Sequence, residues 1–286
     1  MKGIVLAGGT GSRLWPITKA VSKQLLPVYD KPMIYYPIST LMLAGIRNIL
    51  IITTPQDKNA FQALLGDGSE FGVVFQYQTQ PQPRGLAEAF IIGAEFLEGD
   101  SCLMILGDNI FYGAGLGADL KRNLPDYGGE IFTYNVSNPT NYGVIELDTL
   151  GNPLSVEEKP IHPKSNLAIT GLYYFDRNVV EVAKKVIPSA RGELEITSII
   201  EHYLKSGNLS VRQLSRGTAW LDTGNPISLH DAGTFVRVIE ERTGLKIACL
   251  EEISYTNGWI SKIELLAIGA KSRNPLDLDY LRKISE

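Results

Sequence analysis

Short apolar, β-branched runs at residues 4–6, 49–53, 73–77 and 103–106 alternate with longer stretches of helical spacing through the first half of the chain. Helices are predicted over 36–44, 57–65 and 86–97, two of them closed by a glycine, Gly45 and Gly66. Parallel strands need crossover helices that cover both sheet faces. The alternation therefore predicts a Rossmann-like three-layer α/β/α fold around a mixed, mostly parallel central sheet. Ligands of such sheets collect at the carboxyl ends of the strands, so the residues just after each strand are where chemistry is expected.

The second half is more varied. Residues 131–136 and 143–147 read as antiparallel or edge strands, followed by a turn at Gly151-Asn152-Pro153. A strand is expected at 172–175 and a helix at 179–187. Ile196, Ile199, Ile200, Tyr203 and Leu204 recur at helical spacing up to Gly207, and Leu229, Ala232, Val236 and Ile239 do so up to Gly244. Beyond about residue 250, Trp259, Ile260, Leu265 and Leu266 predict a small helical region that docks on the rest.

Charge narrows the partners. The 27 Lys and Arg against 31 Asp and Glu leave a formal charge of −4, which gives no general attraction to nucleic acid or an anionic membrane. A phosphate ligand must then be held by a few placed cations. Cys102 and Cys249 lie in apolar surroundings, as expected of buried thiols in a reducing cytosol. His162, His202 and His230 show no metal-ligand spacing. The apolar run at 3–7 is too short for a signal peptide and no stretch approaches a membrane span, so a cytoplasmic protein is expected.

The first strand runs into Leu6-Ala7-Gly8-Gly9-Thr10-Gly11-Ser12-Arg13-Leu14. Glycines there let backbone N–H groups close on phosphate oxygens. Two common phosphate loops do not fit. A dinucleotide-binding turn wants glycine where Leu14 stands, and a P-loop wants Lys-Ser/Thr where Ser12-Arg13 stand. Alone, the turn is equally well explained as a tight bend. Arg13 at its end and Lys23 ten residues on add a guanidinium and an ammonium, although Lys23 by itself reads as a solvated surface lysine.

Asp108, after the run at 103–106, and Asp222, in Trp220-Leu221-Asp222-Thr223-Gly224, are carboxylates delivered at the ends of two apolar segments. Magnesium favours one or two carboxylates completed by phosphate oxygens and water. Taken singly, each Asp is equally a turn or cap residue. Glu158-Lys159 sets an acceptor for sugar hydroxyls beside a cation for phosphate. Gln80 can pair with a base edge, with Leu86 packed on the base face and Gly85 nearby. Either stretch alone reads as an ordinary loop.

Together, the glycine-rich turn with its arginine and downstream lysine, the run Ser22-Lys23-Gln24-Leu25-Leu26-Pro27, Leu106-Gly107-Asp108-Asn109, Arg191-Gly192-Glu193-Leu194-Glu195-Ile196-Thr197 and Ala219-Trp220-Leu221-Asp222 resemble the sugar-nucleotide pyrophosphorylases. The closest likeness is to the branch that joins dTTP to glucose 1-phosphate, and it extends to about residue 260. The resemblance implies that Gly8, Gly9, Gly11, Ser12 and Arg13 hold the triphosphate and that Lys23 bridges the reacting phosphates. Gln24 would lie beside the nucleotide, and Gln80, Gly85 and Leu86 would read thymine. It implies magnesium on Asp108 and Asp222, with Asp108 also in the nucleotide site. Asn109, Gly143, Glu158, Gly171, Tyr173 and Trp220 would line the sugar pocket, with Lys159 and Arg191 on the sugar phosphate. Arg13, Lys23 and Lys159 would be the catalytic cations.

The same resemblance implies a division into a catalytic part at 1–226, which includes the sugar site, and a helical part at 227–286 that serves subunit contact and regulation. It further implies a homotetramer, feedback inhibition by dTDP-rhamnose, and a place at the first step of dTDP-L-rhamnose and related deoxysugar synthesis. Some positions depart from the family pattern: Ser12 replaces a usual threonine, Ser198 a common acid, and Asn225-Pro226 a more usual threonine; Thr256 stands where an arginine is frequent. A glycine-tyrosine segment usual near the end is missing from 271–286. Competing readings are a pyrophosphorylase for another nucleotide or sugar, UTP included, and an inactive sugar-nucleotide-binding regulatory subunit. The presence of Arg13, Lys23, Asp108 and Asp222 disfavours the latter. Leu14 disfavours a dinucleotide-dependent reductase.

Overall fold

The structure, a computed structural model, describes residues 1–122 and 124–286. Its strands in chain order are β1 (Lys2–Ala7), the two-residue β2 (Pro27–Val28) and β3 (Lys31–Pro32), β4 (Asn48–Thr53), β5 (Val74–Thr79), β6 (Cys102–Leu106) and β7 (Asn109–Tyr112). They continue as β8 (Gly129–Asn135), β9 (Gly143–Leu147), β10 (Pro153–Glu158), β11 (Leu167–Phe175), β12 (Leu209–Gln213) and β13 (Ala219–Asp222). The main sheet runs β10-β9-β11-β6-β1-β4-β5, with β8 and β12 branching from β11. The ladders β6–β1, β1–β4, β4–β5 and β8–β12 are parallel, while β11 pairs antiparallel with β6, β8 and β9. The expected mixed α/β sheet is present.

β1, β4 and β6 are almost wholly buried because helices cover both faces. Val5, Ile49, Ile51, Leu103 and Ile105 point to one side, against Ile38, Leu41 and Met42 of α1 (Tyr35–Leu43) and Phe61 of α2 (Lys58–Leu65). Ile4, Leu6, Leu50, Ile52 and Met104 point to the other, with Phe90 of α3 (Glu88–Ile92), Phe96 of α4 (Ala94–Leu97) and Ile199 and Ile200 of a later helix. Each such side chain contributes roughly 1.5–3 kcal/mol by leaving water.

Several elements differ from expectation. The helix predicted at 86–97 is two short ones broken at Gly93, which lies so close to the sheet that a Cβ would stand 3.2 Å from both Ile4 and Leu50. The strand expected at 172–175 begins at Leu167, running through Thr170 and Gly171. After α5 (Leu116–Arg122), α6 (Val179–Ala183) ends before the predicted 187, and α7 (Ile196–Lys205) matches its pattern. β10 and β12 occupy segments without a clear alternating pattern.

α8 (Pro226–Thr243) starts with Asn225, whose side chain accepts from the amides of Ile227 and Ser228, and with Pro226 in its first turn. The departure at Asn225-Pro226 is therefore a helix start. α8 packs Ala232 and Val236 on Val28, Met33, Tyr36 and Ile110. The last helices, α9 (Leu250–Thr256), α10 (Lys262–Lys271) and α11 (Pro275–Ile284), share a cluster of Cys249, Ile260, Leu265 and Leu281. They dock through α9 on α1 and through Ser254, whose hydroxyl donates to the Phe71 carbonyl at 2.5 Å. Cys102 and Cys249 are free and buried, and no helix among the described residues is long and apolar enough to cross a membrane.

Candidate active site

One cavity of about 580 Å³ opens along the carboxyl ends of β1, β5 and β6 and continues over β9, β10 and β11. Gly8, Gly9, Arg13, Gln24, Gln80, Gly85, Leu86, Asp108, Asn109, Gly143, Glu158, Lys159, Gly171, Tyr173, Trp220 and Asp222 all line it. Gly11, Ser12, Lys23 and Arg191 do not. Leu14, where a dinucleotide turn would need glycine, is fully buried and anchors the loop in the core.

Lys23 is not a solvated surface residue. It is buried, at 8% exposure, and its ammonium donates to Asp108 Oδ2. The Asp108 Oδ1 accepts from Asn109 Nδ2 at 2.9 Å, and Asn109 Oδ1 accepts from the Trp220 indole at 2.5 Å. Trp220 is itself packed between the rings of Tyr134 and Tyr142. Gly171 makes room for this chain of bonds, because a Cβ there would lie 2.7 Å from Asn109 Cγ.

Asp222 is brought beside Asp108 by the antiparallel pair β7–β13, in which Asp222 stands opposite Asn109. Burial, and then the charge of Asp108, push the Asp222 carboxyl above the usual range, against the pull of Lys23 and Arg13. Arg13 lies over Gly224, whose added Cβ would meet its Nη2 at 3.0 Å. Two half-buried like charges flanked by two cations form a site that favours a further cation or a phosphate bridging to one.

At the base end, Gln80 Nε2 donates to the Gly85 carbonyl at 3.2 Å and to Glu88 Oε2 at 2.8 Å. Gly85 has φ +107° and lies against the backbone of Leu194, so only glycine fits. Gln24 Nε2 reaches the Gly8 carbonyl at 3.3 Å. At the opposite end, Glu158 and Lys159 follow one another at the end of β10, with Lys159 at φ 45° and its amide bonded to the Tyr142 carbonyl at 3.1 Å. The phenol of Tyr173 is held neutral, pushed up by burial and by Glu158. The Arg191 guanidinium is taken by Glu195 at 2.8 Å and Glu158 at 3.3 Å.

The cavity also contains residues that sequence reasoning did not single out as site residues: Pro83, Asn141, Tyr142, Glu193, Glu195 and Thr197. The only signal was that Glu193, Glu195 and Thr197 sit within a stretch already resembling the pyrophosphorylases.

A switch-point cavity with backbone donors, paired carboxylates and cations defines an enzyme that transfers phosphate-bearing groups. The family described as Nucleotidyl transferase matches residues 2–238, and the chain belongs to that family. It is 58% identical, over 263 residues covering 92% of this chain and 91% of the relative, to the glucose-1-phosphate thymidylyltransferase of Neisseria gonorrhoeae. Among solved structures, a Bacillus anthracis protein assigned as a glucose-1-phosphate thymidylyltransferase, in complex with sucrose, matches with a TM-score of 0.77 and 41% identity, over 83% of this chain and 95% of that one. A UDP-glucose pyrophosphorylase complexed with UDP-glucose matches with a TM-score of 0.72 at 25% identity, over 83% of this chain and 98% of that one.

Proposed function

We propose that this nucleotidyltransferase joins dTTP to α-D-glucose 1-phosphate, forming dTDP-glucose and pyrophosphate. The single observation that supports this most is that one cavity holds the base-edge pair Gln80 and Gly85, the carboxylates Asp108 and Asp222, and Glu158-Lys159. The similarity to named thymidylyltransferases at 50–58% identity supports the choice of substrates.

In this reading the free Gln80 Oε1 and the Gly85 amide meet the N3–H and a carbonyl of thymine. Backbone amides of the glycine turn and Arg13 hold the triphosphate. Glu158 accepts from sugar hydroxyls and Lys159 holds the sugar phosphate. An oxygen of that phosphate attacks the α-phosphorus in line, the new P–O bond forms, and the bond to the β-phosphate oxygen breaks to release pyrophosphate. The nucleophile is already ionised at neutral pH, so no general base is needed. The residues supply alignment and relief of repulsion between two anions.

Asp108 and Asp222 fit a divalent ion. They are a half-buried pair in which desolvation, and then the charge of Asp108, raises Asp222, and among the described residues no group of three or more His, Cys, Asp or Glu side chains offers an alternative. Two carboxylates completed by phosphate oxygens and water is the set magnesium prefers. When bound, magnesium would neutralise charge on the triphosphate. Residues 227–286 are read as the part that meets other copies in a homotetramer and carries feedback inhibition by dTDP-rhamnose.

The test is initial-rate pyrophosphate release with each triphosphate against several sugar 1-phosphates, with and without magnesium. Fast turnover that needs dTTP, glucose 1-phosphate and metal together is expected. Preference for UTP or for another sugar phosphate would overturn the substrate assignment.

A further inference from the structure

We propose that Glu88, which does not line the cavity, sets which base the site accepts by holding the Gln80 amide in one orientation. This rests on the nucleotide reading above and deepens it. Gln80 follows β5 and is buried, at 6% exposure. Both hydrogens of its Nε2 are engaged, one by the Gly85 carbonyl and one by Glu88. A carbonyl and a carboxylate only accept, so both require the NH2 end of the amide. Oε1 is left without a hydrogen bond from any described residue. It faces Gly8, where an added Cβ would stand 3.0 Å from it.

The Gly85 amide likewise has no backbone partner among the described residues. The chain thus presents an acceptor beside a donor. Thymine and uracil answer that pattern with N3–H and an adjacent carbonyl. Cytosine does not, because its N3 lone pair would oppose the Oε1 lone pair.

An amide can turn over by rotation, which would exchange its acceptor and donor ends and favour cytosine instead. Glu88 opposes this. In the turned state Oε1 would face the Glu88 carboxylate and the Gly85 carbonyl, three acceptors together and little water to separate them. Glu88 opens α3 and is half-buried, Gln80 is its one hydrogen-bond partner, and it makes no ion pair among the described residues. A partly buried carboxylate placed against a neutral amide, and in no ion pair among the described residues, is accounted for by this orienting role. Glu88 is accordingly a positioning residue acting through Gln80.

The experiment compares kcat/KM for dTTP and dCTP, with saturating glucose 1-phosphate, in the wild type, Glu88→Ala and Glu88→Gln. Losing the acceptor is expected to lower the dTTP/dCTP ratio about tenfold or more, with dCTP use rising. Glu88→Gln keeps a carbonyl that accepts from Gln80 and should hold the ratio within about threefold of wild type. Glu88→Met, which keeps length without an acceptor, replaces the alanine variant if that one fails to fold. A ratio unchanged in Glu88→Ala or Glu88→Met, including equal loss on both nucleotides, overturns the role of Glu88 and leaves the thymine reading standing. A wild type that uses dCTP as well as dTTP overturns both.

Discussion

The amide and the hydroxyl of Thr223 both donate to the backbone carbonyl of Asp108, at 3.1 and 2.8 Å. Thr223 is fully buried and follows Asp222 directly, so one residue ties the two carboxylate-bearing segments together. Removing its hydroxyl in Thr223→Val leaves the amide bond but loosens Asp108. The loss of one such hydrogen bond is about 0.5–1.5 kcal/mol, so kcat should fall roughly two- to tenfold while half-saturating magnesium rises. Thr223→Ser should behave as wild type. Magnesium titrations of initial rate on the two variants check this.

Lys23 is the buried partner of Asp108, and its replacement removes a cation from the reacting phosphates and from a carboxylate at once. Lys23→Ala is expected to lower kcat by ~10²–10³, the usual loss for one electrostatic donor in a transition state. Steady-state rates would decide it, and activity within a few-fold of wild type would remove Lys23 from the mechanism.

Gly171 lends its missing side chain to Asn109. In Gly171→Ala the new methyl would sit 2.7 Å from Asn109 Cγ, breaking its bonds to Asp108 and Trp220 or shifting β11. A stability loss of about 1–3 kcal/mol is expected together with reduced kcat, measured by denaturant unfolding and by rate. A stable and fully active Gly171→Ala would show that the Asn109 chain of bonds is dispensable.

Thymine differs from uracil by one methyl, and a pocket rewards a methyl by only about 1–3 kcal/mol. dUTP and UTP should therefore be used at a reduced but measurable rate. Competition assays against dTTP measure the ratio. Complete rejection would require a contact stronger than methyl packing.

Features confined to one stretch of chain were legible in the sequence. Gly8, Gly9 and Arg13 after β1, Asp108 after β6, and Glu158-Lys159 at the end of β10 all end up on the cavity because each lies at the end of a strand of the main sheet. What depends on distant pairing was not legible. The Trp220–Asn109 bond spans 111 residues and exists only because β7 and β13 pair. Lys23 looked solvated because nothing local shows that Asp108, 85 positions on, will cover it. The ion pairs of Arg191 with Glu195 and Glu158 were not legible either, because the approach of these acids depends on how the loop before α7 folds back. β10 and β12 carry too few alternating apolar residues to announce themselves as strands.

The most direct test follows the α-phosphorus. Purified protein is given dTTP labelled at that atom, with glucose 1-phosphate and magnesium, and the labelled products are identified. The label is expected in dTDP-glucose, with one pyrophosphate released per turnover and no transfer when the sugar phosphate is omitted. Label that stays in dTTP, or appears in dTMP whether or not glucose 1-phosphate is present, would contradict the account.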